Sequence, residues 1–259
     1  MRYLEFLERL HGVLDPPTYL EIGVRHGDSL AFARCPAVGV DPFYNLRVEL
    51  GPQVTLFPET SDEYFRRPDA LAPLGDRPVG MAFVDGMHLV EYALTDFIGV
   101  ERRSHWTSAV VLDDVLPRDD REAARDRRTR EWTGDVFKLT GILAAERPDL
   151  VCLTLDTEPT GLLLVLGLDP ASRRLPWRYE RIVSRAVTVD PQRVPKDVLE
   201  RRGTVDAEAV LAADFWAYLR DARDNDVSRE EGLPVLREAV EREFGARRGL
   251  RRRLSRAPA

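Results

Sequence analysis

Glu21-Ile22-Gly23-Val24-Arg25-His26-Gly27-Asp28-Ser29 continues the short apolar run Thr18–Ile22, and its reading decides the rest of the chain. A glycine straight after a strand lets backbone or ligand approach closely, and a second one permits a tight turn. The spacing is E-x-G-x-x-x-G rather than the G-x-G-x-x-G that cradles a dinucleotide pyrophosphate. Outward from this turn, strand and helix patterns alternate. Asp28–Arg34 is predicted as a helix, Ala37–Val40 as a second strand ending at Asp41-Pro42, and Val54–Phe57 as a third. Ser61-Asp62-Glu63 suits a helix start. Val79–Val84 is a fourth strand ending at Asp85-Gly86, and Val90, Ala93, Leu94, Phe97 and Val100 follow at helical spacing. Ala109–Leu112 is a fifth, running into Asp113-Asp114. The charged stretch Arg118–Arg130 reads as a loop or mobile insertion, and Glu131–Glu146 as a helix. Leu150–Leu155 and Gly161–Leu168 lie too close together for a crossover helix and are expected to be antiparallel. Five strand–helix units and a closing hairpin describe an α/β fold with a doubly wound, mostly parallel sheet.

The flanking segments are helical. Tyr3, Leu7, Leu10 and Leu14 share one face of an opening helix that Asp15-Pro16-Pro17 stops, with His11 off that face and solvent-facing. His105 is expected near a helix end, in a structural role. Residues 171–259 read as a helical C-terminal extension, packed on the core or on a second subunit, so a homodimer is an expectation. The arginines at 247, 248, 251, 252, 253 and 256 read as a solvated tail. The 259 residues suffice for a full core, and the net charge of −6 gives no basic excess for general nucleic-acid binding. Acids at Glu5 and Glu8 interrupt any signal-peptide stretch, and no apolar run approaches the ~20 residues of a membrane span. A cytoplasmic protein without membrane contact is the expectation. Cys35 and Cys152 read as small buried residues rather than a disulfide.

In such a sheet the ligand crevice lies beyond the C-terminal ends of the strands. The residues found there are chemically loaded. Asp41 is placed to accept hydrogen bonds from a vicinal diol such as a ribose. Asp85, Asp113 and Asp114 gather carboxylates that repel one another unless a cation compensates them, and such oxygens favour a hard divalent ion, Mg2+ first. His88, three residues beyond Asp85, is a candidate base for a hydroxyl proton. Trp132 and Lys138 are candidates for an acceptor pocket.

These residues resemble motif I and the acidic loop of class I SAM-dependent methyltransferases, which have a Rossmann-like fold. Phe83-Val84-Asp85-Gly86-Met87-His88-Leu89-Val90-Glu91-Tyr92, with Asp96, is similar to the D-G-x-H-x-Y signature of the methyltransferase 24 group, itself similar to macrocin-type sugar O-methyltransferases and cephalosporin-hydroxylase-like proteins. Val111–Val115 and Trp132–Lys138 extend the similarity, which covers about residues 15–170. It implies a SAM-binding methyltransferase domain over residues 1–170. Glu21, Gly23, Asp41, Ser61 and Asp85 would bind S-adenosylmethionine: Gly23 at its methionine portion, Glu21 near the amino group, Asp41 at the ribose and Ser61 on the adenine side. Asp85, Asp113 and Asp114 would hold Mg2+, as in catechol-type enzymes, although Asp114 stands where those carry Asn. His88 and Asp85 would be catalytic, and the acceptor a hydroxyl of a small molecule, a sugar or natural product. Two other readings remain open: an NAD-dependent oxidoreductase, against which the missing G-x-G-x-x-G argues, and a non-catalytic or cephalosporin-hydroxylase-like protein.

Overall fold

The computed structural model describes the backbone of residues 1–254 and side chains as far as residue 245. The arginine cluster from Arg247 onward, and its reading as a solvated tail, lies outside the described side chains. Among the described residues, seven strands form one sheet: β1 (Tyr19–Ile22), β2 (Ala37–Val40), β3 (Val54–Phe57), β4 (Val79–Val84), β5 (Ser104–Leu112), β6 (Val151–Leu155) and β7 (Leu162–Leu166). Their order is β3-β2-β1-β4-β5-β7-β6. β1 to β5 pair in parallel, while β7 runs antiparallel to both β5 and β6. The chain leaves β1 outward to β2 and β3, then returns to place β4 on the other side of β1. That reversal opens a crevice between β1 and β4. The registers Ile22↔Val40, Ile22↔Val84 and Val84↔Leu112 bring Gly23, Asp41, Asp85 and Asp113 to one edge.

Alternation along the strands buries both faces. Tyr19, Met81, Phe83, Ala109 and Val111 face one core, with Phe6, Leu7, Leu10 and Leu14 of α1 (Tyr3–Leu14). Three later helices complete that cover: α7 (Ala207–Leu211), α8 (Phe215–Asp224) and α9 (Arg229–Leu254), through Val210, Trp216, Leu219, Leu236 and Val240. The opposite parity (Leu20, Ile22, Val38, Ala82, Val84, Val110 and Leu112) packs on α2 (Ser61–Arg66), α3 (Val90–Glu101), α4 (Lys138–Glu146) and α5 (Arg174–Ala186). The short α6 spans Lys196–Leu199. Continuous apolar strands are what a sheet covered on both sides requires. Among the described residues, no helix is long and apolar enough to cross a membrane.

Several local expectations are corrected. Asp28–Arg34 is not an α-helix; it holds a single 3-10 turn at Leu30–Phe32. The Ser29 hydroxyl is committed to Glu21, and Pro36 stops helical propagation through Cys35. The β2–β3 connection likewise lacks a helix. α4 begins at Lys138, not Glu131, because Gly134 turns the chain with φ +53. β5 starts at Ser104, so His105 lies in a strand. His11 is buried, edge-on to Tyr19 at 4.5 Å between ring centroids, and burial holds its pKa down at about 4. His11 stands four residues after Leu7 and three before Leu14, so it shares the apolar face of α1 that packs on the sheet. Cys35 and Cys152 are half-buried and form no disulfide.

Candidate functional site

A cleft of about 560 Å3 opens over the strand ends. Its position rests on Gly23, where φ is +87 and a Cβ would stand 2.0 Å from the Asp85 carbonyl oxygen. Only glycine lets β1 turn this close to the end of β4. Asp41 closes the β2 side. Its Oδ2 accepts from the Arg25 backbone N–H at 2.8 Å and its Oδ1 from that of Phe43 at 2.7 Å. Each oxygen keeps further acceptor capacity, and the carboxylate lines the cleft.

Ser61 lines the same cleft and does not cap α2. Thr60 is the cap, exchanging hydrogen bonds with Glu63 in a capping box. The Ser61 hydroxyl is thereby left for Asp96, a carboxyl only 2% exposed on α3 whose pKa burial raises to about 7 against the hydrogen bond from Ser61. Glu21 is placed differently from Asp41. It is fully buried on the α1 side of the sheet, accepting from the Tyr19 hydroxyl at 2.7 Å and from Ser29 at 2.8 Å, and it does not line the cleft. Burial lifts its pKa to about 8, with those two hydrogen bonds pulling the other way.

At the ends of β4 and β5, Asp85, His88 and Asp114 converge. One ligand-type atom from each lies within 4.8 Å of the others. His88 Nδ1 faces two oxygens, Asp114 Oδ2 at 2.5 Å and the Trp132 carbonyl at 2.6 Å, so Nδ1 carries a proton. Nε2 faces Asp85 Oδ1 at 3.7 Å. Burial alone would lower the His88 pKa. The hydrogen bond and charge of Asp114, then Asp85 and the Trp132 carbonyl, outweigh it and raise the value to about 9. The neighbouring carboxylates thus favour the protonated ring, and a cation bound among them would disfavour it. Asp85 is raised to about 7 by burial and by Asp114. Asp114 holds a left-handed backbone, φ +64, which a non-glycine residue adopts only under local constraint. Its N–H donates to Asp113 Oδ1 at 2.7 Å. Asp113 also accepts from Thr160 at 3.1 Å, and burial followed by Asp114 and Asp85 pushes its pKa well up. It lines the cleft without joining the Asp85–His88–Asp114 cluster.

Tyr3 was not legible beforehand as a cleft residue, whereas Trp132, a candidate for the acceptor pocket, does line the cleft. Tyr3 belongs to the apolar face of α1, yet it lines the cleft beside Asp85 and Asp113; burial, then those charges, raises its phenol pKa. Trp132 lies flat on His88, with centroids 4.9 Å apart and planes 7° apart, and its Nε1–H donates to the Ala124 carbonyl at 2.6 Å. Gly134 makes this possible, since a Cβ there would meet the His88 carbonyl at 1.6 Å. Lys138 does not line the cleft. Its ammonium is taken up by Asp135, Thr188, Gln192 and the Ala186 carbonyl.

No protein-family model and no curated protein matches the sequence. Solved structures of similar fold include the O-methyltransferase TomG from Streptomyces achromogenes, involved in tomaymycin synthesis, in complex with SAM. It is 19% identical over 64% of this chain and 79% of that one, with a TM-score of 0.47. An O-methyltransferase from Bacillus cereus in complex with SAH is 15% identical over 63% and 80%, with a TM-score of 0.41. The MycE methyltransferase of the mycinamycin biosynthetic pathway, in complex with Mg and SAH, is 14% identical over 65% of this chain and 50% of that one, at 0.44. At these identities, what this cleft does has to follow from its own geometry.

Proposed function

We propose that the protein is a SAM-dependent O-methyltransferase that methylates a hydroxyl of a small molecule with the help of a divalent cation. The observation that carries this is the sharing of one cleft, across the switch point of the sheet, by Asp41 and the Asp85–His88–Asp114 cluster. The cleft has the size of a nucleoside with a small second ligand beside it. Asp41, with one N–H already on each oxygen, suits two ribose hydroxyls. The Gly23 turn leaves room next to it, and Ser61 with Asp96 offers polar atoms at the α2–α3 side. The carboxylates of the β4 and β5 ends favour a cationic sulfonium in a way that a diphosphate would not share. Glu21 supports the turn from below, through Ser29, instead of touching the donor.

A hard cation fits the same donor set: Asp85 and Asp114 would hold it, with Asp113 adjacent. When bound, it supplies a lowered pKa to a coordinated hydroxyl, and the sulfonium supplies an electrophilic methyl group. The chain's own residues do the rest. Asp114 and the Trp132 carbonyl fix the His88 ring by its Nδ1–H, so in the neutral tautomer the lone pair sits on Nε2, facing Asp85. That neutral form is favoured when a cation offsets the charges of Asp85 and Asp114, and its Nε2 is then the atom that receives the hydroxyl proton. Trp132 covers one face of the imidazole and excludes water there. Positioning of the two ligands by fixed side chains contributes much of the acceleration. The test is transfer of labelled methyl from SAM to a panel of catechols and sugars, with Mg2+ and with EDTA. Transfer that EDTA abolishes is the expected result. SAM binding without transfer to any acceptor would favour the non-catalytic alternative, and transfer undiminished by EDTA would remove the metal.

A further inference from the structure

We infer that the acceptor carries an anionic group, a carboxylate or phosphate, which Arg127 and Arg130 hold at the wall of the cleft while its hydroxyl faces Asp85 and Asp114. The inference rests on the methyltransfer reading only for which end of the acceptor reacts.

Residues 113–137 carry six arginines, at 118, 121, 125, 127, 128 and 130. Three of them are neutralised by acids. Arg118 pairs with Glu122, Arg125 with Glu91 and Asp135, and Arg128 lies within 4.0 Å of Asp126 and Asp190. Arg121 has no ion pair among the described residues and does not line the cleft; the two that do line it, Arg127 and Arg130, are also poorly compensated. Among the described residues, Arg127 contacts only a carbonyl, that of Arg130, at 3.1 Å. Arg130 is 95% exposed, and its nearest acid is the neighbouring Glu131 at 3.9 Å. Two guanidinium groups without a close acid partner therefore line the site.

The segment that bears this pair is held in place. Asp190 accepts from the backbone N–H groups of Arg125 and Asp126, and Thr133 and Gly134 donate to the Glu122 carbonyl. Trp132 follows directly, pinned on His88. One wall thus runs from two cations to an aromatic plane to the acid–histidine cluster. The carboxylates of the floor offer an anion no donor of their own, so the cations of the wall are where an anionic group of the acceptor would be held. Guanidinium groups meet that need with paired hydrogen bonds matched to planar carboxylate and to phosphate.

The test is calorimetry in Mg2+ with two probe pairs: 3,4-dihydroxybenzoate against its methyl ester, and glycerol 3-phosphate against glycerol. Charge-assisted bonds predict about a tenfold or greater preference for the anionic member of at least one pair. The pair that shows it distinguishes carboxylate from phosphate. In R127Q/R130Q, substitutions at exposed positions, the preference should fall below about twofold while affinity for S-adenosylhomocysteine stays unchanged. No preference in either pair, preference that survives the double substitution, or a loss of S-adenosylhomocysteine affinity in its place would each overturn the inference. Failure of the unsubstituted protein to bind S-adenosylhomocysteine would instead sink the methyltransfer reading, with the anion preference still measurable.

Discussion

Replacing Glu21 by glutamine separates two roles for a motif acid. Glu21 is fully buried and its pKa is raised from 4.5 to about 8. Between those values the folded state keeps a proton that the unfolded chain has lost. Stability from this group is therefore complete below about pH 4.5 and falls as pH rises towards 8. At about 1.4 kcal/mol per pH unit, the loss across the window is on the order of 4–5 kcal/mol. Glutamine matches the protonated carboxyl in shape and still accepts from Tyr19 or Ser29, so E21Q should lack this dependence. Urea unfolding of both proteins from pH 5 to pH 9 measures the difference directly, since the other titrating groups cancel to first order. The variant should match the wild type within about 1 kcal/mol near pH 5. It should exceed it by several kcal/mol at pH 8 to 9. A difference that stays flat with pH, or a wild type that gains on the variant as pH rises, would refute the assignment of a neutral buried carboxyl. Because Glu21 does not line the cleft, E21Q should also keep its affinity for S-adenosylhomocysteine.

D114N should lower the ring pKa of His88 from about 9 towards the ordinary imidazole range or below, because burial then acts with less opposition; an NMR titration of the metal-free protein that finds it unmoved would contradict the proposed clamp. D135A removes a carboxylate with no exposed side-chain surface that binds Arg125 and Lys138 and accepts from the Val90 N–H. A loss of about 3–5 kcal/mol in chemical unfolding is expected, with faster hydrogen exchange over residues 118–135. Unchanged exchange there would show that the segment is held by other contacts.

The parallel sheet was legible because each strand is an apolar run punctuated by Gly, Asp or Pro, and site residues in such a fold sit at those punctuation points. Asp41, Asp85, His88 and Asp114 were found that way. What escaped depended on contacts distant in sequence. Trp132 reaches His88, 44 residues away in sequence, only through the positive φ of Gly134, whereas the burial of His11 on Tyr19 follows from its place four residues after Leu7 on the apolar face. Tyr3 looks like core from the spacing of α1, and its location at the cleft follows from how α1 docks. The aim of Glu21 carried a signal in the strand itself. It shares the parity of Tyr19 and so faces the α1 side, not the crevice, by simple period-two alternation.

Titration of S-adenosylhomocysteine into the wild-type protein and D41N by calorimetry tests the central claim most directly. One site per chain is predicted, weakened about tenfold or more when Asp41 loses its charge. Absence of binding at millimolar concentrations, or equal affinity in D41N, would contradict the assignment of this cleft to a nucleoside methyl donor.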